Sequence, residues 1–154
     1  MKNRKKQYLC IDFKSFYASV ECVERGLDPF QVNLVVADPD RGGGAITLAA
    51  TPAIKKLGVP SRGRIFQIPK NISYKIAPPR MHLYMEYAAK IYGIFLKYIS
   101  PDDIIVYSID ESFFDVTSYL DLYQTTAPKL AKKIIADVYE QTGITSAAGI
   151  GNNL

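Results

Sequence analysis

Ile104-Ile105-Val106-Tyr107-Ser108-Ile109-Asp110-Glu111-Ser112-Phe113-Phe114-Asp115-Val116 is the stretch on which the fold turns. Two runs of β-branched and aromatic residues, 104–109 and 112–116, are separated by only two acids. That spacing predicts a tight β-hairpin with Asp110 and Glu111 at its tip. Upstream, Ala88, Ile91, Tyr92, Phe95, Tyr98 and Ile99 recur at helical spacing, so residues 86–99 read as an amphipathic helix that Ser100-Pro101 ends. Downstream, Leu130, Ala131, Ile134 and Val138 mark a second helix over 127–141, stopped by Gly143, and residues 146–150 read as a last strand.

The N-terminal end completes the plan. Residues 8–13 read as a buried strand, and Ser15 caps a helix that runs to Arg25 and stops at Gly26. In the middle, apolar runs at 34–37 and 45–50 flank Asp38-Pro39-Asp40-Arg41-Gly42-Gly43-Gly44 and read as a hairpin. Thr51-Pro52 starts a short helix that ends at Gly58. Residues 59–80 read as loops with one brief strand at 65–67. The order is β-α, an insertion over roughly 27–80, then α-β-β-α-β. This is an α+β, ferredoxin-like plan, with two helices on one side of a mixed four-stranded sheet and a small inserted α/β subdomain.

Composition supports a packed protein. Of 154 residues, 48% are hydrophobic and 22% charged, which excludes a disordered tail, and no segment repeats. No apolar run approaches the roughly 18 residues that span a bilayer. Lys2, Arg4, Lys5 and Lys6 form a basic lead-in, expected to be disordered, but Asp12 and Lys14 interrupt the apolar stretch behind it, so no signal peptide is read. Cys10 and Cys22 lack metal-type spacing, so buried thiols in a reducing, cytoplasmic setting are expected. His82, the only histidine, has no companions for a metal site. The glycine run 42–44 lacks the Lys-Ser/Thr of a phosphate loop.

Charge is uneven. Residues 1–77 hold 13 Lys and Arg against six acids, and residues 78–154 hold six against nine. Residues 41–85 contain eight bases (Arg41, Lys55, Lys56, Arg62, Arg64, Lys70, Lys75 and Arg80) and no acid. Such a field attracts a polyanion such as nucleic acid or a triphosphate, with Lys56, Arg62 and Arg64 as candidate contacts.

The carboxylates carry the chemistry. Asp12 closes the first strand, while Asp110 and Glu111 cap the hairpin, so the plan lets three acids meet at one sheet edge. Crowded carboxylates repel unless cations join them, and oxygen-only ligands select Mg²⁺, with Mn²⁺ as substitute. Two such ions about 4 Å apart can activate a 3′ hydroxyl and stabilise a leaving pyrophosphate.

Three motifs then carry a resemblance. Asp12-Phe13-Lys14-Ser15-Phe16-Tyr17-Ala18-Ser19-Val20-Glu21 resembles the first motif of the Y-family translesion DNA polymerases. Tyr107-Ser108-Ile109-Asp110-Glu111-Ser112-Phe113-Phe114-Asp115 resembles their central catalytic motif, and Gly149-Ile150-Gly151-Asn152-Asn153 the opening of their third palm motif. The three occur in family order and spacing across the chain, closest to the UmuC-type branch.

The resemblance implies a DNA-directed DNA polymerase that transfers a nucleotide from a dNTP to a primer 3′ hydroxyl on primer-template DNA. It implies two Mg²⁺ ions on Asp12, Asp110, Glu111 and the Phe13 carbonyl. Tyr17 would be the steric gate against a 2′-hydroxyl. The backbone N–H groups of Ser15, Phe16 and Tyr17 would cradle the triphosphate with Lys55, and Ala49 and Ala50 would lie over the nascent base pair. The family plan assigns 1–26 and 81–154 to the palm and 27–80 to the fingers. Family enzymes continue into a thumb and a C-terminal DNA-gripping domain, through which a processivity clamp could be met. The 154 residues contain neither, so they read as a palm-and-fingers fragment. Lys14 stands where many members have an acid or Asn, and Pro52 where some have a nucleotide-contacting Tyr. Two other readings share the plan: a non-catalytic DNA- or protein-binding module, and a nucleotidyl cyclase-like palm enzyme. The basic insertion argues against the cyclase.

Overall fold

The structure is a computed structural model and describes residues 5–153. Of the basic lead-in, Lys2 and Arg4 lie outside the described residues, and Lys5 and Lys6 are exposed. In chain order the elements are β1 (Tyr8–Phe13), α1 (Phe16–Glu24), β2 (Leu34–Val36), β3 (Ile46–Thr47), β4 (Ala49–Ala50), α2 (Pro52–Lys55), β5 (Gly63–Arg64), β6 (Lys75–Ala77), α3 (Met81–Phe95), β7 (Ile104–Ser108), β8 (Glu111–Asp115), α4 (Tyr119–Leu122), α5 (Ala127–Thr142) and β9 (Ser146–Gly151). Short 3-10 turns occupy Pro39–Gly44, Ile65–Gln67 and Pro101–Asp103. The chain forms two compact units, Met1–Phe13 with Met85–Leu154, and Lys14–Tyr84.

In the first unit the strands lie in the order β7-β8-β1-β9, the ferredoxin-like arrangement expected from the element order. Every neighbouring pair is antiparallel, so the sheet is not mixed as expected. The hairpin β7-β8 is antiparallel by construction. The longer crossovers return the chain in its original direction but one strand away, so parallel strands never become neighbours. Strict alternation splits β1 into a buried face (Leu9, Ile11, Phe13) and a partly open one (Tyr8, Cys10, Asp12). Phe95 anchors the buried side. Its ring lies 6.4 Å from that of Phe13 and meets Phe114 edge-on at 4.8 Å. The apolar face of α5 is buried too (Leu130, Ala131, Ile134, Val138), and α5 packs on β1 and β9. Gly143 ends α5 in the left-handed region at φ 75°, its N–H bonded to the Tyr139 carbonyl at 2.7 Å.

In the second unit β2 is central, antiparallel to β4 and parallel to β6, and α1 packs on β2 and β4. Val35, Ala50, Ile54, Val59 and Ile68 form its core, with Ile65, Ile72 and Tyr74 against them. Thr51 caps α2 as expected and does more: its hydroxyl donates to the Val32 carbonyl at 2.7 Å and accepts from the N–H groups of Leu34 and Ile54. One side chain thus ties a helix start to the strand entry beside it.

Several expectations need correction. Residues 65–67 are a 3-10 turn rather than a strand, and the extended pairs lie on either side, at Gly63–Arg64 and Lys75–Ala77. Their partners are non-local, which local pattern does not show. α3 begins at Met81, five residues early, because buried Tyr84 extends its inward face by more than a turn. α4 was not foreseen. Of the two cysteines, only Cys22 is fully buried. Among the described residues, no helix is long and apolar enough to cross a membrane.

Candidate active site

In the first unit the site is built by sheet register. Asp12 stands opposite Glu111, and Phe13 opposite Asp110, whose carbonyl accepts the Phe13 N–H at 2.9 Å. Antiparallel ladders alternate bonded and non-bonded pairs. Phe13 with Asp110 is a bonded pair, so Asp12 with Glu111 is a non-bonded one, the arrangement that brings facing side chains closest. Their Cβ atoms should lie roughly 4.5–5.5 Å apart on the open face. Ser108 on β7 continues this row beyond Glu111, and Ala147 on β9 continues it beyond Asp12 without adding bulk.

This register corrects the hairpin. The turn residues are Ile109 and Asp110, and Glu111 is the first residue of β8. Glu111 is therefore aimed by the pleat of the sheet and not by a loop. Asp110 is held differently: its carboxylate accepts the Ser108 hydroxyl at 2.8 Å. Among the described residues, no three His, Cys, Asp or Glu side chains form a ready cation cluster. Two of the three expected carboxylates are side by side, and the third is tethered toward β7. In donor chemistry the set fits a hard cation, being oxygen only. The charge of the pair reaches the next row, where burial first, then Glu111 and then Asp12, push the Cys10 thiol above its ordinary value.

In the second unit α1 presents the remaining candidates. Ser15 adopts a left-handed conformation at φ 55°, and its side chain makes no capping bond, contrary to expectation. Its carbonyl still accepts the Ser19 N–H at 2.8 Å, so the helix starts there. Phe16 is buried. The half-buried Tyr17 ring stacks on Tyr84 with centroids 4.5 Å apart and planes 16° from parallel. Tyr84 is fully buried and its hydroxyl donates to Glu21 at 2.5 Å.

Glu21 is a fully buried carboxylate that sequence reading missed. Arg80 donates to both its oxygens, at 3.1 and 2.5 Å, and Arg25 donates to its carboxylate as well. Burial alone would raise the Glu21 carboxyl, but the bonds from Arg80, Tyr84 and Arg25 outweigh it and hold the group at about 2. The available signal was positional, an acid between Val20 and Cys22 on the apolar face of a short helix.

Lys55, in the last turn of α2, is half-buried, and burial followed by the charge of Lys14 lowers its ordinary value. Lys14, which stands where many family members have an acid or Asn, is thus close enough to be felt electrostatically by the expected phosphate-binding lysine. Lys56, Arg62 and Arg64 are exposed, and Arg64 also donates to the Gly44 carbonyl at 2.6 Å. Ala49 and Ala50 are both buried, on β4.

The model of the family described as impB/mucB/samB matches residues 11–154. The chain is 37% identical over 152 residues to the putative UV-damage repair protein UvrX of Bacillus subtilis (strain 168), covering 97% of this chain and 35% of that protein. It is 32% identical over 151 residues to DNA polymerase IV 2 of the same organism, covering 97% and 36%. Among solved structures it is similar to DinB from Sulfolobus solfataricus, with TM-score 0.78, 27% identity and coverage of 96% and 42%. It is also similar to a Y-family DNA polymerase chimera, with TM-score 0.80, 27% identity and coverage of 96% and 43%. The chain spans about a third of the length of these two curated relatives.

Proposed function

The chain belongs to the impB/mucB/samB family, and from that membership we propose that it supplies the catalytic palm and fingers of a DNA-directed DNA polymerase of the translesion class. The observation that carries the reading is the non-bonded strand pair of Asp12 and Glu111, with Asp110 one residue away. Primer-template DNA and a dNTP are the proposed partners, and the setting is cytoplasmic. A processivity clamp is a further proposed partner, reached through a C-terminal region of the longer protein.

Asp12, Asp110, Glu111 and the Phe13 carbonyl would hold two Mg²⁺ ions, or Mn²⁺ in their place. The chemistry such ions supply is polarisation of the primer 3′ hydroxyl and neutralisation of charge on the leaving pyrophosphate. The rest falls to the chain's own groups. The strand pair fixes the Cβ positions of two carboxylates by backbone bonding, so only their side-chain rotamers remain to be ordered when they act. Tyr17, braced by Tyr84, would exclude a sugar 2′-hydroxyl. Lys55, with Lys14 beside it in charge, would hold phosphate oxygens, and the N–H groups of Ser15, Phe16 and Tyr17 would cradle the triphosphate. In this reading residues 27–80 are the fingers, and 1–26 and 81–154 the palm.

Primer extension in Mg²⁺ and in EDTA, with a nucleotide-binding titration alongside, tests the proposal. Metal-dependent dNTP binding that Glu111→Gln removes supports it. Equal binding with and without metal, or by the variant, overturns it. Cyclic nucleotide formation from a free triphosphate would instead mark a cyclase.

A further inference from the structure

Phe66 is 70% exposed, an unusual position for a large aromatic side chain in a folded segment. The segment is well tied. The Arg64 N–H donates to the Gln67 side chain at 2.8 Å, the Ile65 N–H to the Ala45 carbonyl at 3.0 Å, and the Ile68 N–H to the Ile65 carbonyl at 3.0 Å. Ile65 and Ile68 face the core of the unit while Phe66 between them faces out. Its exposure is therefore set by the turn.

The surroundings are open and cationic. A side chain at Gly43 would reach within 3.5 Å of the Phe66 Cβ, so the glycine there brings backbone close to Phe66 without adding a side chain to cover it. Ile46 on β3 stands opposite Arg64 on β5. The Ile65-to-Ala45 bond makes that a non-bonded pair, so an exposed apolar side chain and a guanidinium share one face. Arg62 is exposed two residues earlier. Asp38 is paired with Arg41 at 3.6 Å, and after Asp40, exposed at the entry to the glycine loop, no acid follows until Glu86.

We propose that Phe66, with Arg62, Arg64 and Ile46, forms a stacking platform for an unpaired stretch of template strand. This deepens the polymerase reading and rests on it. Charge complementarity identifies the occupant: the segment 41–85, with eight bases and no acid, calls for a polyanion, and an outward aromatic ring calls for a flat apolar face. Unpaired nucleic acid presents both at the spacing of one nucleotide, whereas a duplex keeps its base faces stacked away from the surface. An apolar protein partner would make no use of the cationic surround.

The chain has no tryptophan, so Phe66→Trp places a single fluorophore on the platform. Oligo-dT should quench its emission, and an abasic oligomer of equal length should not. Phe66→Ala should weaken oligo-dT binding about tenfold while leaving the salt dependence unchanged, because stacking releases no counterions. Arg62→Ala should instead lower the slope of log affinity against log salt by about one. Melting temperatures matching wild type show that the variants fold. Equal quenching by the abasic oligomer, or unchanged oligo-dT affinity in Phe66→Ala, overturns the platform while leaving DNA binding intact. Absence of any oligo-dT binding by the wild-type chain at low salt overturns the DNA reading together with the platform.

Discussion

Tyr84 lies face to face with Tyr17 at 4.5 Å while its hydroxyl is bonded to the buried carboxylate of Glu21 at 2.5 Å. The ring proposed to select the sugar is thus braced through a second ring by an ion-paired acid. Because Glu21 accepts Tyr84 and Arg80 together, the orientation of Tyr84 is set by a charged network and not by packing alone.

Stability should depend on pH through Glu21. Its folded value of about 2 lies below the ordinary 4.5. A depressed acid contributes stability that is full above the unfolded value and lost as pH falls through the folded one. The window is therefore about pH 4.5 down to 2. Allowing for the half-exposed Arg80 and Arg25, the contribution is about 2 kcal/mol. Urea unfolding of wild type and Glu21→Gln across that range should show the wild-type advantage at pH 6 shrinking toward zero near pH 2. A constant difference would exclude this role.

Asp110→Ala should leave melting almost unchanged, because the side chain sits in a turn and accepts a bond from the Ser108 hydroxyl two residues earlier. Metal-dependent dNTP binding should fall at least tenfold, since a lost carboxylate removes both charge and an oxygen ligand. Calorimetric titration and thermal melting on one preparation check both halves. Tight Mg²⁺-dependent binding by the variant would remove Asp110 from the site.

Tyr17→Ala should reduce discrimination between ribo- and deoxyribonucleoside triphosphates by about a hundredfold or more, because a steric clash discriminates more than one lost contact. Tyr17→Phe should keep it, since the proposed barrier is the ring. Matched competition between dCTP and CTP measures the ratio. Loss of selectivity in Tyr17→Phe would point to the hydroxyl instead.

Thr51→Val should destabilise the chain by about 2 kcal/mol. It keeps the volume but strands the buried N–H groups of Leu34 and Ile54 and the Val32 carbonyl. Thr51→Ser should recover most of the loss. Chemical denaturation of the three proteins compares them directly, and equal midpoints for Val and Thr would show the hydroxyl to be idle.

Local pattern along the chain was enough to read the elements of the sheet and the acids they carry. Alternation in residues 8–13, the apolar periods of α3 and α5 and the short gap between β7 and β8 are local signals. Each reflects one element burying one face, so the ferredoxin-like order and the carriers Asp12, Asp110 and Glu111 were legible. Which acids face each other depends on the folded sheet. Strand register places Glu111 on β8 opposite Asp12 and leaves Asp110 in the turn, and register depends on backbone bonds to a strand about a hundred residues away. The same holds for Glu21, whose acidity depends on Arg80 and Tyr84 roughly sixty residues downstream, and for the pairing of Ile46 with Arg64 behind the Phe66 turn. Local sequence specifies the face a residue occupies, but what stands opposite it is fixed by long-range closure of the chain.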